Sequence, residues 1–285
     1  MTSLMPKFAA FDLEIARAFP ENSHWDGITP LGITCAALGL SDAPEPIFFQ
    51  GAPQIERAAC VEILSALQNA RANGYTLVTW NGTAFDFAVL AQETAMAREC
   101  AELALAHVDL MLIVTFLRGH WLALQKALLG AGLAGKKQEA LLNDGTPLYE
   151  MSGKRAPELW ARGEYTAVLS YLRQDVMPLL ELARIVHATK QIRWTSNKGY
   201  PQTARVEKLW SVRECFDLPL PDTTWMKMDA PQRAQFVQWM PPLDERLPHA
   251  PYAPRELREL PLFAYAAESA YWREFRRALQ MPVKA

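Results

Sequence analysis

The chain has 285 residues, half of them hydrophobic and 21% charged, with a formal net charge of -2. That composition belongs to a globular protein with one large core, or a core with an appended subdomain; it excludes a disordered chain, and bulk charge announces no nucleic-acid partner. The charge is nevertheless uneven: residues 1–189 hold 14 Lys and Arg against 20 Asp and Glu, and the remainder holds 15 against 11.

An acidic first part suits cations and a basic last part suits phosphates, although ordinary solvated faces give the same tally. The four cysteines, Cys35, Cys60, Cys100 and Cys215, are far apart and show no CxxC spacing. A zinc ribbon or disulfide framework is therefore not expected, and a reducing compartment is. No apolar run approaches the roughly 20 residues that cross a bilayer. Leu110–Leu117 is too short and runs into Arg118 and His120, and the N-terminus reaches acidic residues before any signal-like core. The expectation is a soluble, cytoplasmic protein with no membrane contact.

Phe8–Ile15 reads as a strand, Ile28–Leu38 as a second, and Pro46–Gln50 as a third, with a turn-like Gly39–Pro44 that favours an antiparallel pair. Gln54–Asn73 reads as a helix with Ile55, Ala59, Ile63, Leu64 and Leu67 on one face. Tyr75–Trp80 is a strand, Asn81-Gly82 a turn, and Thr83–Arg98 a helix that Thr83 or Asn81 would cap. His107–Val114 fits a buried strand or a helix start equally well. Glu164–Thr189 is a long helix with an apolar face and Pro178 inside it, where a kink or restart is expected. The order is α/β. Beyond Lys190 the character changes: 11 of the 20 prolines lie there. Asp229–Trp239 and Glu268–Leu279 are helix candidates. The expected division is a core over residues 1–189 and a Pro-rich, partly helical C-terminal extension over residues 190–285.

Three small clusters carry chemistry. In Phe11-Asp12-Leu13-Glu14, strand alternation turns both carboxylates to one face, with Cα atoms about 6.5–7 Å apart. Two like charges inside an apolar strand lose hydration and repel, and a hard divalent cation removes that cost. A strand that ends at Phe11 and exposes both acids explains DxE just as well. Asp86 follows the Asn81-Gly82 turn in the first turn of a helix, where orphan N–H groups favour negative charge whatever the function. Its setting of Phe85, Phe87, Val89 and Leu90 argues for more than capping. Asn81 and Phe85 are candidate substrate contacts, with holding the turn as the competing role for Asn81. Tyr171 and Asp175 are four apart and share one helical face. Asp175 can ligate a metal while the Tyr171 hydroxyl holds a water, or Tyr171 is simply a half-buried amphipathic residue.

Together, Phe11-Asp12-Leu13-Glu14, Asn81-Gly82-x-x-Phe85-Asp86 and Tyr171-x-x-x-Asp175 resemble the three exonuclease motifs of the DEDD superfamily. Tyr rather than His four residues before the last Asp is similar to the tyrosine branch, and the nearest likeness is to the proofreading exonuclease domain of family-B DNA polymerases. The resemblance covers roughly residues 5–190. It implies an RNase H-like mixed sheet flanked by helices. It also implies two divalent cations, Mg²⁺ or Mn²⁺, held by Asp12, Glu14, Asp86 and Asp175 with Asp12 between them, and a water oriented by Tyr171. The implied reaction is 3′–5′ hydrolysis of single-stranded nucleic acid or a frayed 3′ end, DNA favoured, releasing nucleoside 5′-monophosphates. A catalytically silent nucleic-acid-binding module on the same core is the alternative.

Other candidates stand on composition. Gly130–Lys137 is glycine-rich and basic but lacks the Ser/Thr of a P-loop, which leaves Lys136 and Lys137 as candidate phosphate contacts or a plain surface turn. Lys154-Arg155 has the same standing. Lys190, Arg193 and Lys198 alternate with Trp194 and Tyr200, a pattern of cations for phosphates and rings for unpaired bases. A linker held by a buried Trp194 is equally consistent. Asp109, in an apolar run, is expected to cap a helix rather than to bind metal.

Overall fold

A strand buried along nearly its whole length must be covered on both faces, and β1 (Phe8–Ile15) is, although one face carries Asp12 and Glu14. In the computed structural model, which describes residues 6–18, 30–135, 140–149, 151–227 and 229–241, β1 is the centre of a five-stranded sheet ordered β3-β2-β1-β4-β5. β2 (Ile33–Leu40) runs antiparallel to it, with Asp12 opposite Ala37 and Glu14 opposite Cys35. β3 (Ile47–Gln50) extends that meander, also antiparallel. After α1 (Arg57–Ala72), β4 (Thr76–Thr79) returns parallel to β1. Then α2 (Asp86–Thr94) and α3 (Ala97–Ala106) lead to β5 (Val108–Asp109), parallel to β4. An antiparallel meander followed by parallel crossover strands is the RNase H-like form of an α/β mixed sheet.

Chain order continues with α4 (Leu110–Arg118), α5 (Leu124–Gly130), the short pair β6 (Ala140–Leu141) and β7 (Pro147–Leu148), α6 (Ala156–Ala161) and α7 (Tyr165–Thr189). Small residues let α7 lie close to the sheet. Gly39 has no side chain, and a Cβ there would stand 3.2–3.7 Å from Leu180, Met177 and Val176. Gly39 is opposite Ala10 in the ladder, so the face of β1 that carries Ala10, Asp12 and Glu14 is the face under α7. The other face, with Phe11 against Phe87, packs under α2.

Several expected boundaries move. The helix expected over Thr83–Arg98 is two helices. Ala95 adopts φ 63°, and Thr94 Oγ1 donates to the Leu90 carbonyl while accepting from Met96 N–H, which supports the break. No Gly or Asn advertises it. The ambiguous His107–Val114 is strand and then helix, divided at Asp109. Helix α7 passes through Pro178 as one element; Pro178 is half-buried, so water can reach the carbonyl that its missing N–H releases.

Beyond α7 the chain forms a hairpin of β8 (Gln191–Thr195) and β9 (Pro201–Arg205), then α8 (Val212–Cys215) with a Ser211/Glu214 capping box. The helix expected over Asp229–Trp239 is only a 3₁₀ turn, Arg233–Phe236, and Glu268–Leu279 lies outside the described residues. These segments join the main core: Phe116 of α4 meets Phe216 and Phe236 edge-on at 5.2 and 5.4 Å. All four cysteines are buried free thiols. Among the described residues no helix is long and apolar enough to cross a membrane.

Candidate active site

The ladder between β1 and β4 stops at Ala10–Val78, while β1 runs on to Ile15. The backbone of β1 beyond that point needs another partner. Asp86, the first residue of α2, supplies it: its Oδ1 accepts from Leu13 N–H at 3.1 Å. A hydrogen bond also links the Asp86 and Asp12 carboxyl groups. Asp86 is 2% exposed, and burial pushes its pKa up to about 7, with the nearby Asp109 charge adding to the rise. Two carboxyls in hydrogen-bond contact share a proton, so the pair titrates as a unit.

The turn before Asp86 is held from below by Asp109. Its Oδ1 accepts from Asn81, Met111 and Leu112 N–H and its Oδ2 from the Thr83 N–H and hydroxyl, at 2.7–3.1 Å. Asp109 thus caps α4 and ties β5 to the Asn81 turn. Neither Asn81 nor Thr83 caps α2, contrary to expectation. Phe85 holds the N-cap position without a side-chain cap, because Thr83 already faces Asp109. Asn81 takes φ 73°, the left-handed region that Asn tolerates, and this bends the chain from β4 toward α2. Its Oδ1 is buried without a hydrogen-bond partner among the described residues. Thr79 Oγ1 accepts from Gly82 N–H at 3.1 Å and donates to His107 Nε2 at 2.8 Å. His107 Nδ1–H donates to the Ala104 carbonyl, and burial lowers its pKa to about 4, so the ring is a neutral structural part of the turn.

The third element comes from α7. Its C-terminal end lies beside the start of β1: Arg184 donates to the Ser41 carbonyl, Ser41 N–H donates to the Phe8 carbonyl, and His187 meets the Phe8 ring at 6.1 Å. Val176–Leu180 lies over the Gly39–Ala10 level. The helix therefore runs antiparallel to β1. Two strand residues, about 6.6 Å, match four to five helical residues. That puts Asp175 near the level of Asp12 and Tyr171 near the level of Glu14. Glu14, Tyr171 and Asp175 are all buried, at 6%, 8% and 5% exposed. Beside Glu14 the chain passes at Gly153, where a Cβ would stand 3.5 Å from Oε2, and the exposed Lys154 follows. The Cys35 thiol, opposite Glu14, is pushed up by burial and then by the Glu14 and Asp12 charges.

All-oxygen donors on rigid elements are the set that a hard divalent cation takes. The buried contact between the Asp12 and Asp86 carboxyl groups marks the place where such an ion would relieve like-charge repulsion. As they stand, no three His, Cys, Asp or Glu side chains among the described residues are grouped closely enough to hold a metal ion.

No family model matches the chain, and no curated protein matches it. Among solved structures it is similar to the family B DNA polymerase from the hyperthermophilic archaeon Pyrobaculum calidifontis, at 20% identity and a TM-score of 0.46 over 64% of this chain. The match covers 24% of that polymerase chain, so this protein spans about a quarter of its length.

The proposed substrate contacts separate. Trp194 is buried, 4% exposed, with His120 edge-on at 5.7 Å and the Arg118 guanidinium over its ring at 6.0 Å. It is a core residue and offers no free face for a base. Ile192 and Trp194 point inward from β8 and Arg193 outward, an alternation already present in the sequence. The exposed Arg193 donates to Gln191 Oε1, Lys190 ends α7 in the left-handed region, and Lys198 lies at the exposed hairpin turn. Phe85 is half-buried beside Asp86. Lys136 and Lys137 lie outside the described residues. Gly130 has a packing role: a Cβ there would fall on the Arg193 carbonyl.

Proposed function

We propose that this protein is a divalent-cation-dependent 3′–5′ exonuclease acting on single-stranded nucleic acid, DNA favoured. The observation that carries the reading is the buried Asp86, hydrogen-bonded to Asp12 on the strand that also bears Glu14, under the helix that bears Tyr171 and Asp175. Asp12, Glu14, Asp86 and Asp175 would hold two Mg²⁺ or Mn²⁺ ions. When bound, the ions supply Lewis acidity at the scissile phosphate and acidify a water. Tyr171 presents a hydroxyl that both donates and accepts, and it orients that water; Glu14 accepts a hydrogen bond from it. Water oxygen bonds to phosphorus, the bond to the 3′-oxygen breaks, and that oxygen leaves with a proton. The product is a nucleoside 5′-monophosphate and a strand one residue shorter. The buried setting of Glu14, Asp86 and Asp175 limits the access of bulk water to the reacting atoms.

The test is purified protein with 5′-labelled single-stranded DNA and RNA, with Mg²⁺, Mn²⁺ or EDTA. A ladder that shortens from the 3′ end only with metal is expected, and its loss in Asp12→Ala and Asp175→Ala with circular dichroism unchanged. Activity retained in either variant overturns the assignment. Binding without any shortening identifies a silent nucleic-acid-binding module instead.

A further inference from the structure

The loop after α4 returns to the site: Leu122 carbonyl accepts from Trp80 Nε1–H at 3.1 Å, and Trp80 immediately precedes Asn81. This loop and the segment around Trp225 bring together an aromatic surface. His120 sits edge-on between Trp194 at 5.7 Å and Trp225 at 6.1 Å. Trp194 is buried, but Trp225 is 62% exposed and Trp121 51% exposed. A folded chain gains nothing by holding two indoles in water, and neither is a loose side chain. Trp225 Nε1–H donates to the Asp222 carbonyl at 2.9 Å, and Trp121 rests on Phe236 at 5.0 Å. Their polar edges or one face are used, and the remaining faces are free for stacking.

A cation completes the surface. Arg118 lies two residues before His120, its Nε is buried, and among the described residues neither an acid nor a hydrogen-bond acceptor meets its guanidinium. Fixed ring faces beside a guanidinium whose Nε meets no acceptor among the described residues suit bases and phosphates of an unpaired strand; duplex stacks its own bases and offers no ring face. We propose that His120, Trp121 and Trp225 with Arg118 form a stacking platform that holds single-stranded nucleic acid upstream of the end seated at the acids. This rests on the nuclease reading for the polarity of the strand, while the binding itself stands apart from it. Two further contact surfaces are weaker: among the described residues the hairpin tip at Lys198 and Tyr200 makes no contact with the Asn81 turn, and the groove between Lys7 and Arg184 lies at the other end of β1 with its cations paired to Asp42 and Glu181.

The experiment measures binding without turnover. The full chain in EDTA is titrated with a fluorescein-labelled oligothymidylate of about ten nucleotides, a length within the range one single-strand site occupies. Trp225→Ala should weaken binding by about tenfold or more, Trp225→Phe by much less, and Arg118→Gln should weaken it and flatten the salt dependence. The same variants, with Mn²⁺, should cleave a dinucleotide at the wild-type rate, because it is too short to reach the platform. Equal affinity of Trp225→Ala and wild type for the oligomer overturns the platform, as does equal wild-type affinity for blunt duplex. A chain that binds through Trp225 and never cleaves anything keeps the platform and refutes the nuclease reading.

Discussion

Replacing Asp86 with Asn should abolish hydrolysis and stabilise the protein. The amide keeps an oxygen for Leu13 N–H, now met at 3.1 Å, and turns an N–H₂ toward Asp12, so both hydrogen bonds survive. What disappears is a buried charge. Burial raises Asp86 from its ordinary 3.8 to about 7, and because the proton is shared with Asp12 the cost of ionising belongs to the pair and is on the order of a few kcal/mol. The sign follows from linkage. An acid with a raised folded-state pKa favours the folded chain at low pH, and that advantage is lost between about pH 4 and pH 7, then stays lost. Wild type should weaken across this window by a few kcal/mol more than Asp86→Asn does. Urea unfolding in EDTA at intervals from pH 4 to pH 8 reads the difference. The two proteins should nearly coincide at pH 4. At pH 8 the variant's midpoint should be higher by about 1–2 M, taking a slope of about 2 kcal/mol per M. Added Mn²⁺ should raise the wild-type midpoint at pH 8 and leave the variant's nearly unchanged. Parallel stability curves across the whole pH range would refute both the buried charge and its proposed relief by a cation.

Asp109→Asn leaves Thr83 N–H facing an amide donor in a site 0% exposed, so stability should fall by about 2–3 kcal/mol in urea melts, and turnover should fall with it as the Asn81 turn relaxes. Tyr171→Phe should lower the single-turnover rate about ten- to a hundredfold with cation affinity, read by isothermal titration, unchanged. Gly130→Ala forces α5 away from the Arg193 backbone and should cost about 2–3 kcal/mol by thermal melting, whereas Gly132→Ala, where φ is 78° but the space is open, should cost about 1 kcal/mol.

How legible each part was depended on how local its cause is. The two acids of β1 and the Tyr171–Asp175 spacing are readable because alternation and helical pitch are properties of short segments. The antiparallel pairing of β2 with β3 was readable from the turn at 39–44, whereas that of β1 with β2 was not. The split at Ala95 was not, since an alanine in the left-handed region owes its conformation to Thr94 and the surrounding packing rather than to its own type. Asp109 was legible as a cap, but its second role, gripping Asn81 and Thr83, depends on β5 lying beside β4, a pairing of only two residues per strand. The ring platform was invisible for the same reason: Trp121 and Trp225 are far apart in the chain, and it is the contact of Trp225 with His120, the neighbour of Trp121, that puts them on one surface. For Trp194 a nucleic-acid contact and a buried linker anchor stood equally, and the second is what the fold holds. Its basic neighbours suggested a nucleic-acid contact, while the inward phase it shares with Ile192 marked it as core.

Trp239 Nε1–H donates to the Thr83 carbonyl at 2.7 Å, across 156 positions of sequence. A fragment ending at residue 189 would strip the Asn81 turn of that donor and leave Phe116 without the rings of Phe216 and Phe236. Such a piece is expected to clump or melt early, and its silence in an assay would say nothing about the acids. Residues added late in synthesis finish the pocket begun by the earliest ones, so competence should arrive only once the ribosome has released about the first 240 residues.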